Sequence, residues 1–308
     1  MISIDKAKDI AWSKTIPGKW ILFGEHAVLR GGKAIVFPLM AQHLNLNYFK
    51  DEKVFKVQLD EVKSAELEQV IQSTIDRVLA MCDVRREQLT GTLVIDAHIE
   101  FGAGMGASAT LAVGFTEFLI YLGYVKPHDA YTFAKKIEDI FHGESSGVDV
   151  AVTLSQKALI FERTKENHFL ENVKLPKLYL SYSGVRGVTK DCVNLVKKLF
   201  ETDPKSAAAI DQDMKSCSDE FIAKHNSWTM KDWIFNIEKA QSCFDRWQLV
   251  PNEVKKHRQL LADHGAVASK LTGSGGGGYV LSLWENEPPQ SMLSSLIPLS
   301  LIPSSEKV

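Results

Sequence analysis

The chain has 308 residues, 45% hydrophobic and 24% charged, the composition of an ordinary globular protein with room for two domains. A formal net charge of −2 argues against a broad basic face for nucleic acid, and no run of about 18 apolar residues offers a membrane span. The four cysteines, Cys82, Cys192, Cys217 and Cys243, lie far apart with no C-x-x-C pair, so free thiols in a reducing, cytoplasmic setting are expected.

The opening stretch MISIDKAKDIAW breaks every apolar run with charge, and no signal peptide is expected there. In GKWILFGEHAVLRGGKAIVFPL, Trp20 to Phe23 and Ala34 to Phe37 read as buried strands. Between them, Gly24-Glu25-His26 puts two polar side chains at a sheet edge, where sites are common, although a lone histidine is more often a satisfied core residue. Lys19 stands just before the first of these strands. HLNLNYFKDEKVFKVQL reads as two strands joined at Asp51-Glu52. ELEQVIQSTIDRVLAMC reads as an amphipathic helix with Val70, Ile71, Ile75, Val78 and Leu79 on one face.

Gly91 to Phe101 alternates with period two and predicts a strand. Gly102, Gly104 and Gly106 follow, and then a helix with Leu111, Phe115, Phe118 and Leu119 on its apolar face. Glycine costs roughly 0.5–1 kcal/mol in regular structure, so three in five residues imply positive φ or close approach. A glycine loop feeding a helix N-terminus is a ready anion site. It lacks the lysine of a P-loop and reads G-x-G-x-G, not the dinucleotide fingerprint G-x-G-x-x-G. On the residues alone, a phosphate site and a plain tight turn both remain open.

The next helix, Ala130 to about Phe141, buries Ala130, Phe133, Ala134, Ile137, Ile140 and Phe141. Helical geometry sets Glu138 on the edge of that stripe, as a rim glutamate with an ion pair or as a metal ligand. VAVTLSQKALIFERT reads as two short strands, with Asp149 entering the first, as a turn residue capping a backbone N–H or as a functional acid. The polar stretch near Thr164 to Asn172 suggests a boundary, giving domains 1–168 and 169–308. Beyond it come the strand LYLSYSG, a helical region from about Thr189 to Leu249, and KLTGSGGGGYVLSL. A flexible linker would not be followed at once by the core strand Val280, Leu281 and Leu283. The glycines from Gly273 to Gly278 are therefore read as close backbone approach to a ligand or to the first glycine loop. The apolar, proline-bearing tail SMLSSLIPLSLIPSSEKV is expected to pack as a terminal element.

Three blocks, PGKWILFGEHAVLRGGKAI, GAGMGASAT and KLTGSGGGGYVL, resemble the three signature motifs of the GHMP small-molecule kinases, over about residues 16 to 283. GEHAV and HGESSGVDVAV resemble the members that phosphorylate mevalonate more than the galactokinases, and SGVRGVTKDCV resembles a segment of the same members. The resemblance implies an α+β fold with an N-terminal ribosomal-protein-S5-like α/β domain and a C-terminal ferredoxin-like α+β domain. It implies transfer of phosphate from ATP, with Mg2+, to a small-molecule alcohol, with mevalonate expected, phosphomevalonate or a sugar as alternatives, and a homodimer left open.

By the same resemblance Gly102, Ala103, Gly104, Met105, Gly106, Ala107 and Ser108 hold the ATP phosphates, and Ser108 and Glu138 hold magnesium. Asp149 and Lys19 are the catalytic pair, Glu25, His26 and Thr189 lie toward substrate, and Gly273, Ser274, Gly275 and Gly276 support the phosphate loop. The chain departs from the family pattern at Phe101, Ala107, Glu144 and Ser145, which bears on specificity. A non-catalytic sensor with this fold would have lost the lysine, aspartate or metal glutamate, and all three are present.

Overall fold

The computed structural model describes residues 10–60, 65–143, 145–163 and 165–299. The expectations for residues 1–9, for Glu144 and for the tail from 300 to 308 lie outside these residues. The first half runs β1 (Ile10–Phe23), β2 (Ala34–Val54), β3 (Lys56–Leu59), α1 (Ala65–Ala80), β4 (Thr90–Ala97), α2 (Ala107–Tyr121), α3 (Ala130–His142), α4 (Val148–Ser155), β5 (Leu159–Phe161) and β6 (His168–Phe169). The second runs β7 (Lys177–Tyr182), α5 (Thr189–Thr202), α6 (Pro204–Lys224), α7 (Met230–Arg246), α8 (Asn252–Asp263), β8 (Ala266–Leu271), β9 (Tyr279–Trp284), α9 (Gln290–Leu293) and β10 (Ile297–Pro298).

The chain forms two compact units. The first comprises the chain up to Gly18, Ala41–Glu100 and Ala107–Gln156; the second comprises Lys19–Met40, Phe101–Gly106 and the chain from Lys157 onward.

In the first unit β4 lies between β3, parallel to it, and the antiparallel β2. Helix α2 is apolar nearly all round, as a helix covered on every side must be. It packs against α3 and α4, and a Cβ at Gly114 would lie 2.9 Å from Leu46 Cδ1, so glycine lets α2 close onto β2. Phe118 is surrounded by Trp12, Tyr48 and Phe55 at ring separations of 5.1–5.6 Å.

Local readings fail here in five places. VAVTL is the helix α4, because Gly147 turns the chain with φ 84° and packing against α2 and α3 outweighs the strand preference of valine and threonine. Strand β2 continues through Asp51-Glu52 to Val54; its register against β4 shifts there, and Asp51 accepts from the Lys53 N–H within the strand. The strand expected to reach Phe101 ends at Ala97. On α1, which packs on β3, Ile71, Ile75, Val78 and Leu79 are buried but Val70 is exposed. Glu138 is enclosed, at 3% exposure, not on a rim, since α3 is covered by both α2 and α4.

In the second unit the sheet order is β10-β7-β9-β8, antiparallel throughout, the ferredoxin-like arrangement that was expected. Helices α7 and α8 pack on β8. Residues 34–36 of β2 pair with β5, which pairs with β6, and Trp20 stacks on Phe37 at 4.5 Å.

Candidate active site

The first glycine loop, Phe101–Gly106, belongs to the second unit. Ala103 and Met105 are wholly buried and pin it, while Gly102, Gly104 and Gly106 between them all have φ of 80–84°. The Lys19 N–H donates to the Met105 carbonyl at 2.9 Å, tying the loop to β1. A Cβ on Gly106 would lie 2.8 Å from Lys19 Cγ, so the lysine stem lies over that glycine. Lys19 itself is 3% exposed.

The second glycine loop lies against the first. A Cβ on Gly278 would come within 2.6 Å of the Ala103 carbonyl oxygen, a contact only glycine allows. At Gly273 the added Cβ would be 3.3 Å from the Gly104 oxygen and 3.8 Å from Lys19 Nζ. Of the two readings the sequence offered for these glycines, close approach to the other loop is therefore observed. A third segment completes the cluster: Gly278 N–H donates to Val185 O at 2.7 Å, Ser183 N–H to Gly278 O at 2.9 Å, and Ser274 Oγ to Thr189 Oγ1 at 3.2 Å. Arg186, in that segment, brings Cδ to 3.7 Å from a Cβ placed on Gly102. Sequence reasoning passed over Arg186, and its only signal was a lone cation between the glycines of SGVRGVT.

Glu25 and His26 are both buried. Glu25 Oε1 accepts from Lys270 Nζ at 2.5 Å, and the Ser274 carbonyl accepts from His26 Nε2 at 2.8 Å, which fixes the proton on that nitrogen. Burial pushes the Glu25 carboxyl up and the Lys270 ammonium down, each against the pull of its partner. It pushes His26 down to about 4, so the ring is neutral near pH 7.

The first unit holds Ser108, Glu138 and Asp149 on three mutually packed helices. Ser108 and Asp149 stand in the first turns of α2 and α4, both half-buried. Glu138 lies near the end of α3, beyond which Asp139 accepts from the Ser145 N–H at 2.7 Å and fastens the connection toward α4. Ala107 opens α2 and is buried. Thus Lys19, Glu25, His26, Thr189, Gly102 to Gly106 and Gly273 to Gly276 gather in one unit, and Ala107, Ser108, Glu138 and Asp149 in the other.

A glycine-lined loop opening a helix, with a second glycine loop and a buried lysine against it, is an arrangement able to hold a phosphate. Residues 69–157 match the GHMP kinases N terminal domain. A mevalonate kinase of Pyrococcus abyssi is 28% identical over 87% of each chain, and one of Dictyostelium discoideum 25% identical over 91% of this chain and 89% of its own. Among solved structures, the Methanococcus jannaschii mevalonate kinase superposes with a TM-score of 0.76 at 19% identity, covering 94% of this chain and 96% of that one. Residues 69–157 thus match the N-terminal domain of the GHMP kinases, and over most of its length the chain is similar to small-molecule kinases of that family, which use ATP. It is mevalonate kinase-like.

Proposed function

We propose that the protein transfers the γ-phosphoryl group of ATP to the primary alcohol of mevalonate, giving 5-phosphomevalonate and ADP, in the cytoplasm. The observation that carries this reading is the extent of likeness: relatives named mevalonate kinase match over 87% of both chains, well beyond the N-terminal domain.

The residues fit the groups this reaction needs. At Gly102 and Gly104 an added Cβ would meet only ordinary contacts, Arg186 Cδ at 3.7 Å and the Thr272 carbonyl at 3.8 Å, and φ of 80–84° is what calls for glycine there, so the backbone N–H groups of this loop would be the ones to hold phosphate oxygens. Magnesium is typically bound through one or two protein ligands together with substrate phosphates. Glu138 would supply the carboxylate and Ser108 the hydroxyl. ATP supplies the phosphoryl group and magnesium neutralises charge on it.

The remaining chemistry falls to the chain. A carboxylate is about 12 pK units too weak a base to deprotonate an alcohol outright, a gap of roughly 16 kcal/mol. Asp149 therefore accepts the proton late, as the alcohol oxygen bonds to phosphorus and becomes acidic. Lys19 stabilises the negative charge developing on that oxygen, and Thr189 and Arg186 line the loops beside it. Most of the acceleration comes from positioning and fixed charge.

The test is a coupled ADP-release assay with Mg-ATP and mevalonate, phosphomevalonate, homoserine and galactose in parallel, with product analysis. Turnover of mevalonate alone or by far the fastest is the expected result. No turnover of mevalonate beside turnover of another alcohol refutes the substrate reading.

A further inference from the structure

Four interactions join one short segment to another about 250 positions away. Lys270 Nζ meets Glu25 Oε1 at 2.5 Å. Thr272 Oγ1 accepts from the Ile21 N–H and donates to the Ile21 carbonyl, both at 2.9 Å. Ser274 O accepts from His26 Nε2 at 2.8 Å. The residues on the far side are 270, 272 and 274. Residues 270 and 272 point to one side of the extended strand end, and past Gly273, where φ is 88°, the Ser274 backbone carbonyl adds the last contact, so the strand end and the start of the glycine loop are stitched to residues 21–26.

The near side holds a conformation that needs a reason. His26 has φ 56° and ψ −46°, a region that residues with a Cβ avoid and that persists only where surroundings hold it. The surroundings that hold it are the Ser274 carbonyl on its ring nitrogen and the Trp247 ring 5.1 Å away. The Glu25 side chain is 1% exposed and its Oε2 is sealed from solvent. Neither carboxylate oxygen of Glu25 is presented to a dissolved ligand.

We infer that Glu25, His26 and Thr272 are positioning residues: they fix the register of the loop Gly273–Gly278 against β1 and so hold the Lys19 ammonium beside Gly273. Lys19 lies two residues before Ile21 on the same strand, and a Cβ on Gly273 would be 3.8 Å from its Nζ. Slippage of the second glycine loop would move the wall against which the lysine and the first loop rest. The inference rests on the reading of these loops as the phosphate-handling part of a kinase, and it does not depend on which alcohol is the acceptor.

His26→Ala, Thr272→Val and His26→Gln test it, assayed with whichever alcohol the substrate panel identifies. Thr272→Val removes the hydroxyl at constant shape, and His26→Gln restores an N–H donor to the Ser274 carbonyl. Displacement of a reacting group by about 1 Å costs on the order of 100-fold, so His26→Ala and Thr272→Val should each lower kcat by about 10- to 100-fold. KM for the alcohol should stay within about threefold, and His26→Gln should return to within about fivefold of the parent, in keeping with that positional cost. In nitrogen-15 spectra the parent should show a slowly exchanging imidazole N–H that His26→Gln lacks, a readout independent of turnover.

Three results would overturn the inference. One is a large rise in alcohol KM in His26→Ala and His26→Gln alike, which makes the ring a substrate contact. Another is a limb near the ordinary histidine pKa in the parent kcat/KM profile that His26→Gln abolishes. The third is full activity in Thr272→Val. An inert mevalonate in the panel refutes the substrate reading and leaves this test standing.

Discussion

Replacing Glu25 with glutamine removes one half of an ion pair whose side chains are 0% and 1% exposed. An exposed pair contributes about 0–1 kcal/mol, whereas stripping one partner from a buried pair costs about 3–5 kcal/mol, because the other charge is left without compensation. The Lys270 ammonium would retain the Ile21 carbonyl at 3.5 Å and the Phe244 ring at 5.5 Å, so the lower end of that range, about 3 kcal/mol, is expected for Glu25→Gln. Lys270→Met should cost less, about 1–3 kcal/mol, since burial already raises the Glu25 pKa and the orphaned carboxyl can take up a proton. The double replacement Glu25→Leu with Lys270→Met leaves no buried charge and should be within about 1 kcal/mol of the parent, or more stable. Urea unfolding near pH 7 of the parent, both single variants and the double variant measures these terms. A double-variant cost equal to the sum of the singles within about 0.5 kcal/mol would show the two groups to be energetically independent and refute the reasoning.

Asp149→Asn should lower kcat by about 10²–10⁴-fold while calorimetric ATP affinity is kept; more than about a tenth of the parent rate would contradict its role as proton acceptor. Glu138→Gln should raise the magnesium concentration needed for half-maximal rate, whereas a purely structural carboxylate would lower the melting temperature and leave the magnesium titration unchanged. Gly106→Ala combines φ 80° with a Cβ 2.8 Å from Lys19 Cγ, so a stability loss of about 1–2 kcal/mol should come with a fall in kcat as the lysine stem is displaced. Thermal melts and steady-state kinetics read both effects. His26 bears on acid stability: as pH falls below 6.5 the unfolded chain takes up this proton, while the folded ring stays neutral to about 4. Stability is therefore whole above that window and declines through it, by roughly 3 kcal/mol at about 1.4 kcal/mol per pH unit. His26→Gln should flatten the decline between about pH 7 and pH 4.5 in urea titrations, and an unchanged slope would count against a buried neutral ring.

Conformation that depends on neighbours a few positions away was legible in the chain. The alternation before Gly102, the three spaced glycines and the apolar period after them spell strand, loop and helix, and β4, the loop and α2 follow in that order. The five glycines between Gly273 and Gly278, set directly before a core strand, announced a close backbone approach, and Gly278 meets Ala103. Where two local signals conflicted, the sequence alone misled. The β-branched run VAVTL favours a strand, yet α2 and α3 offer it a helical seat, and packing outweighs a propensity of a few tenths of a kcal/mol per residue. The edge position given to Glu138 by helical periodicity is real geometry, but burial is set by what covers the edge, and two helices cover it. The partners of Glu25 and His26 stand 245 and 248 residues away, where no periodicity reaches. Only the folded chain brings Lys270 and Ser274 to them, and only there does loss of water turn a carboxylate, an ammonium and an imidazole into a fixed framework around the glycine loops.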